Sequence, residues 1–480
     1  MSTAAFLRIR RKSEASEPAG AAGARRLQLS RVFGGTPPVP APLRDPAARG
    51  ALLGWLGVGL AIRFLLMPFA VNPDLLAVYW RAHLIAYDGR LFGEYLVNMG
   101  AHYAHAAWLL IASPLLPPPD VIWKDPWFFA DWGALAPQVT RWFSTQPWTY
   151  QALFVLKVPY LLADLGAGLL LLALASRAEP RSVRRAWAFW MLSPIALYAS
   201  YMFGRYEMFP VVLVVAALLA CELKRPWLGA VLLGVAITMR TYPLLLIPIF
   251  ALIVAPRPSR SAAWAAAALA PLGLVMGLNQ LFAGSAGELG RLKDFETGST
   301  LFSYAIPVEG PADIYLFVLF ALVLYGILFG RARGWWGSPV ALEQLWVWLL
   351  VFHAGFFAFS TFAARYFAWF TPFVFLALAR RPAWRGTLPV YLLQCVAVLA
   401  LADLIHGGPV ILLGLFEPMH PDLATAWPNL HEAFLTSPQL GRQVAGVLAS
   451  AFTALSILLV IPALFELTRP GPADSRLQIE

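Results

Sequence analysis

Asp74, Arg240 and Arg365 are the residues of this chain best placed for chemistry, because each lies at the edge of an apolar run, where a charge is costly and demands a partner or a cavity. Asp74 stands in Asn72-Pro73-Asp74-Leu75-Leu76 and is followed by Arg81 and Asp88 at successive steps of seven, so a helix there would put all three on one face. An Asp ahead of Leu75, Leu76 and Val78 is equally suited to cap the first backbone N–H groups of a helix. The turn Gly204-Arg205-Tyr206-Glu207 sets a second carboxylate between two apolar runs, with an Arg205–Glu207 surface pair as its plain structural use. Arg240 and Arg365 occupy tight turns on the side where basic residues are disfavoured. Two kinds of anion would answer them: carboxylates of the chain itself, or a phosphate-bearing ligand gripped by the planar guanidinium. Arg63 lies inside the first apolar run, while Lys157 and Asp164, again seven apart, lie on one side of the next, where they could pair with Arg63 or line a cavity. His83, His102 and His105 lack metal-ligand spacing, no Asp-x-Asp pair occurs in the segment that holds them, and no metal or other cofactor is expected.

The elements that must position these groups are membrane helices. The 480 residues are 59% hydrophobic and 13% charged, with mean hydropathy +0.66, which is more apolar surface than a water-soluble core hides. Cys221 and Cys395 fall inside apolar stretches and read as packing residues. The formal charge of +10 sits in short clusters between apolar runs rather than along a stripe, so no nucleic-acid partner is expected. With the N-terminus cytoplasmic, the clusters at Arg177 to Arg185, Lys224 and Arg225, Arg257 and Arg260, Arg331 and Arg333, and Arg380 to Arg385 fall on alternate loops. The opposite loops are then Val71 to Tyr150, the turns at Gly204 to Glu207 and Arg240 to Pro243, Ala283 to Asp313, the turn around Arg365, and His406 to Gly441. The expected fold class is all-α, a polytopic bundle of about 10–12 spans with a long first outer loop carrying interfacial helices. Its expected parts are a disordered basic cytoplasmic segment 1–50, a membrane domain 51–466 with the outer loop at 71–150, and a cytoplasmic tail 467–480. Runs such as Trp227 to Met239 are short for a span, and Pro194, Pro210, Pro243, Pro248, Pro271 and Pro372 sit in or beside spans, where breaks are tolerated next to a cavity.

The order of short motifs resembles the GT-C membrane glycosyltransferases, with the polyprenyl-phosphate-mannose-dependent type as the nearest likeness, including the mannosyltransferases of GPI-anchor synthesis and related bacterial enzymes. The likeness rests on Arg63 and Asp74, Lys157-Val158-Pro159 with Ala163-Asp164-Leu165, Ser193-Pro194 ahead of Gly204-Arg205-Tyr206-Glu207, Arg240-Thr241-Tyr242-Pro243, and Arg365-Tyr366 with Trp369 and Pro372. It spans most of Ala51 to Arg380, with Glu207, Arg240 and Ser193 standing where that type usually has Asp, Lys and Asn.

The resemblance implies transfer of one hexose, mannose first, from a polyprenyl-phosphate sugar to a lipid-linked or glycan acceptor by inverting displacement on the non-cytoplasmic face. Asp74 would be the general base, and Arg240 and Arg365 would hold the donor phosphate. Glu207 and Asp164 would orient sugar hydroxyls or hold an arginine, and Arg205, Arg81, Asp88, Lys157 and Tyr242 complete the expected substrate-orienting set. Trp80, Trp108, Trp123, Trp127, Trp132, Trp142 and Trp148 of the first outer loop suit interfacial anchoring and sugar stacking. The competing expectations are a ligase or polymerase of lipid-linked glycans, and a flippase or transporter, which would carry its ionisable residues near the midplane instead of at one face.

Overall fold

Apolar runs interrupted by proline and paired charges fold here into a helical bundle. The computed structural model describes residues 46–92, 98–123, 142–283, 301–307, 313–337, 339–384, 386–406 and 436–468. In chain order the principal helices are α1 (Pro46–Phe69), α2 (Pro73–Ala86), α3 (Met99–Ala112), α4 (Thr149–Leu174), α5 (Pro180–Leu192), α6 (Met208–Glu222), α7 (Pro226–Met239), α8 (Ile247–Val254), α9 (Pro258–Ala283), α10 (Leu316–Ala332), α11 (Leu345–Phe359), α12 (Thr371–Arg380), α13 (Thr387–His406) and α14 (Pro438–Thr468). A small antiparallel hairpin, β1 (Ala305–Pro307) with β2 (Asp313–Tyr315), pairs Ala305 with Tyr315 and Pro307 with Asp313 ahead of α10. Among the described residues, five stretches are long and apolar enough to cross a membrane: Ala48–Phe69, Thr149–Leu174, Pro258–Phe282, Leu342–Phe359 and Pro438–Leu467. Five further apolar helices are shorter, among them Met208–Glu222 and Pro226–Met239. The expected N-terminal segment before residue 46, the tail after 468, Trp127, Trp132, Arg385, and most of the loops 284–312 and 407–435 lie outside the described residues.

Two apolar cores hold these helices together. The larger joins α4 to α14 with Leu52 of α1 and is rich in fully buried aromatic rings such as Trp190, Trp264, Trp346 and Phe250. The second packs Leu75, Leu76 and Tyr79 of α2 and Ala101 and Leu109 of α3 onto Leu153 and Leu156 of α4. One end of the bundle is tied by basic residues. Arg380 donates to both Glu222 oxygens (2.8 Å each) and to the Leu174 carbonyl, Arg381 pairs with Glu466, and Arg331 donates to the Leu467 carbonyl (2.8 Å). The C-terminal ends of α4, α6, α10, α12 and α14 therefore meet at one level, and the candidate site lies at the other end of α6 and α12.

Chain breaks follow local chemistry. Pro194 has no N–H and pushes Ser193 out of helical geometry (φ −56°, ψ 114°), so α5 ends at Leu192 and gives way to a π-turn at Tyr198–Met202. α2 ends at Ala86, short of Asp88, and Gly89 then turns left-handed (φ +69°), so the expected shared face of Asp74, Arg81 and Asp88 reaches only the first two. Asp88 is exposed beyond the helix end.

The charges inside the bundle are structural. Arg63 Nε and Tyr201 Oη both donate to Asp164 Oδ2 (2.7 Å each), with Arg63 and Asp164 at 0% exposure, and Arg63 also donates to the Met191 and Gly59 carbonyls (2.8 and 3.0 Å). Lys157 donates to the carbonyls of Ala70 and Tyr201. Asp164 and Lys157 thus hold α1, α4 and the 193–202 break together: of the two expected roles Asp164 takes that of holding an arginine, and Lys157 is engaged by backbone carbonyls. Asp164→Ala, which strands Arg63 without its anion, is expected to cost about 3–5 kcal/mol of stability, read as a lower thermal unfolding midpoint in detergent. Arg63→Met with Asp164→Leu should recover most of that loss, since neither charge is then left buried alone.

Candidate functional site

Asn72 accepts from the Asp74 N–H (2.9 Å) and so caps α2, with Pro73 at the first helical position. That settles the two sequence readings of Asp74: Asn72 does the capping, and the Asp74 carboxylate, 27% exposed, is left to face the neighbouring arginines. The Gly204–Glu207 turn meets it from the π-turn. Gly204 has φ +72°, and a Cβ there would lie 3.1 Å from the Leu75 side chain, so only glycine lets this turn press against the start of α2.

Five charged side chains gather at this junction. Arg205 Nε and Arg365 Nη2 each stand 3.6 Å from Asp74 Oδ2. Glu207, at 0% exposure, accepts from Arg240 Nη2 on Oε1 and from Trp369 Nε1 on Oε2 (2.7 Å each), and Arg365 Nε stands 3.9 Å from Oε1. Arg205 and Glu207, neighbours in the turn, therefore answer different partners rather than each other, against the expected surface pair. Three arginines facing two carboxylates leave an excess of one positive charge.

Aromatic rings fix the cations. The Arg240 guanidinium lies 4.9 Å from the ring centres of both Tyr206 and Tyr366, and Arg365 lies 4.7 Å from Phe203 and 4.9 Å from Tyr366. Tyr242, Trp369 and Tyr366 form one stack, with centroids 3.8 and 4.6 Å apart. Tyr242 is buried in that stack and acts on the site through Trp369, and Arg240, expected to grip phosphate, is buried between rings and committed to Glu207. Arg365 is the more open cation, at 13% side-chain exposure. Arg81, one helical face along from Asp74, adds positive field there.

Burial by itself would raise the Asp74 carboxyl, but Arg205, Arg365, Arg240 and Arg81 outweigh it and hold Asp74 below the usual aspartate range. Among the described residues, no three His, Cys, Asp or Glu side chains gather closely enough to hold a metal ion. Trp369, Tyr206 and Tyr201 carry parts of this arrangement that charge patterning did not single out. An aromatic beside a motif arginine was the available signal for the first two. No protein-family model, curated protein or solved structure matches the chain, so the site stands on its own geometry.

The turn gives a direct check. Gly204→Ala forces a side chain into left-handed backbone against Leu75 and is expected to cost at least about 1–2 kcal/mol. Gly273→Ala, in α9 with open space around it, should not lower the unfolding midpoint.

Proposed function

We propose that this protein is a multi-pass membrane glycosyltransferase of the GT-C type, moving one hexose, with mannose the first candidate, from a polyprenyl-phosphate sugar to a lipid-linked or glycan acceptor. The observation that carries the reading is the unequal use of two carboxylates. Both Glu207 oxygens are taken by Arg240 and Trp369, while Asp74 keeps accessible surface beside Arg205 and Arg365. That is the division of labour expected of one carboxylate that positions and one that accepts a proton.

In the proposed reaction Asp74 takes the proton of the acceptor hydroxyl, and that oxygen attacks the anomeric carbon from the face opposite the phosphate. The bond between the anomeric carbon and the phosphate oxygen breaks, and polyprenyl phosphate leaves with the bonding pair. The phosphodiester monoanion becomes a monoester dianion, and Arg365 and Arg205 stabilise the added charge. Arg240, Glu207 and Trp369 hold Arg365 and the turn in register. In the orientation proposed here the Arg380 end is cytoplasmic and the Asp74 end faces away from the cytoplasm, with both termini inside.

Purified protein in lipid, given radiolabelled polyprenyl-phosphate-mannose and a membrane extract, should move label to a new product, and Asp74→Asn should reduce this by at least about a hundredfold. Normal turnover by Asp74→Asn would remove Asp74 from its role, and no transfer with any sugar donor would remove the reaction itself.

The pH profile gives a separate check. Asp74 works deprotonated and its carboxyl is held low, so its acid limb should lie below the ordinary value of about 3.9, with activity falling only as pH drops through that lowered value. Arg205→Gln removes a positive charge and should move the limb upward.

A further inference from the structure

Arg205 and Arg365 converge on a single oxygen. Each guanidinium stands 3.6 Å from Asp74 Oδ2, near enough for charge attraction but beyond hydrogen-bond distance. Nε of Arg205 and Nε of Arg365 are both buried and make no hydrogen bond, although Arg205 is only 8% exposed and Arg365 13%. Arg205 Nε faces Asp74 and Arg365 Nε faces Glu207 Oε1 at 3.9 Å, so an anion seat is defined by Arg205 Nε and Arg365 Nη2, which Asp74 Oδ2 answers only at 3.6 Å. Arg240 differs in distance and not at Nε, which makes no hydrogen bond there either: its Nη2 reaches Glu207 at 2.7 Å.

We propose that Arg205 and Arg365 form a seat for a phosphate group and that the Asp74 carboxylate is its resident counter-anion, which an arriving phosphate displaces. A carboxylate has two oxygens and one negative charge. A tetrahedral phosphate offers more acceptors, and as a monoester, the form in which the lipid leaves, it also carries about twice the charge near neutral pH, whereas the diester donor carries one. Seating it gives Arg205 Nε and Arg365 Nη2 an acceptor within hydrogen-bond reach and turns the Asp74 carboxylate loose toward its accessible side. The glycosyltransferase reading enters only in naming a lipid headgroup as the source of the phosphate. Because the two anions compete for the same cations, removing the carboxylate's charge must strengthen phosphate binding, the reverse of what its loss does when a carboxylate helps to bind a ligand.

The test is calorimetric titration of the full chain in phosphatidylcholine nanodiscs with farnesyl monophosphate and, separately, inorganic phosphate. Asp74→Asn is expected to tighten farnesyl phosphate binding about tenfold, Asp74→Glu to stay close to wild type, and Arg365→Gln to weaken binding about tenfold or more. Equal tightening toward inorganic phosphate supports a seat that reads the phosphate group alone, and tightening confined to farnesyl phosphate supports a lipid headgroup as its ligand. Unchanged or weaker binding by Asp74→Asn, or no binding of either probe by any form, overturns the proposal. Tightened binding in a protein that transfers no sugar leaves the seat standing and removes the glycosyltransferase reading alone.

Discussion

The pairing of Arg63 with Asp164 is the interaction on which the site's placement depends. A guanidinium and a carboxylate at 0% exposure within apolar helices are tolerable only as a pair, and although Asp164 Oδ1 makes no hydrogen bond, Oδ2 and the guanidinium draw partners from separate parts of the chain. Arg63 brings α1 to α4 and to the end of α5, and Asp164 accepts from Tyr201 in the π-turn. Lys157 then binds the carbonyls of Ala70 and Tyr201. Ala70 lies four residues before Asp74 and Tyr201 four before Arg205. The two strands of backbone that deliver the ion pair to the site are thus tied to the same lysine.

Given that tie, the roles of the two carboxylates follow from what surrounds them. Glu207 begins α6 inside a wall of Arg240, Tyr206 and Trp369, where a lone charge would be costly, and it is fully committed. Asp74 begins α2 at the surface of the second core, with its cap supplied by Asn72 and its cations at longer range. The same residue class serves rigidity in one position and availability in the other, and the difference lies in the neighbours that each helix start presents.

Much of this was legible in the sequence, and the limits were physical. Apolar runs with alternating basic loops pointed to a helical bundle, and the charges that interrupt the pattern included every charged member of the cluster. Pairing was not legible, because neighbours in sequence suggested Arg205 with Glu207, whereas the turn at Gly204 aims the two side chains at different helices. Step-of-seven spacing overreached at Asp88, where Gly89 ends the helical path. Spacing left Lys157 and Asp164 either paired with Arg63 or lining a cavity, since it reports a shared face but not what the face meets, which here is Arg63 for Asp164 and backbone carbonyl for Lys157. Asp74 suited a cap by its place ahead of Leu75 and Leu76, but the side chain that accepts from the first turn is that of Asn72, two residues earlier.

Helix length sets how deep the cluster lies. Glu222, Arg380 and Leu174 share one level, and Arg381 ties Glu466 of α14 to it. From that base α6, with 15 residues, climbs about 22 Å before reaching Glu207, at a rise of about 1.5 Å per residue. α14 has 31 residues and extends for about 46 Å along its axis. Along its own axis α14 is thus about twice as long as that climb. Glu207 and Arg240 meet at that height with at most 4% side-chain exposure. Attraction between arginine and an anion is stronger at such a buried site than in open water, and a charged ligand must shed water to reach it.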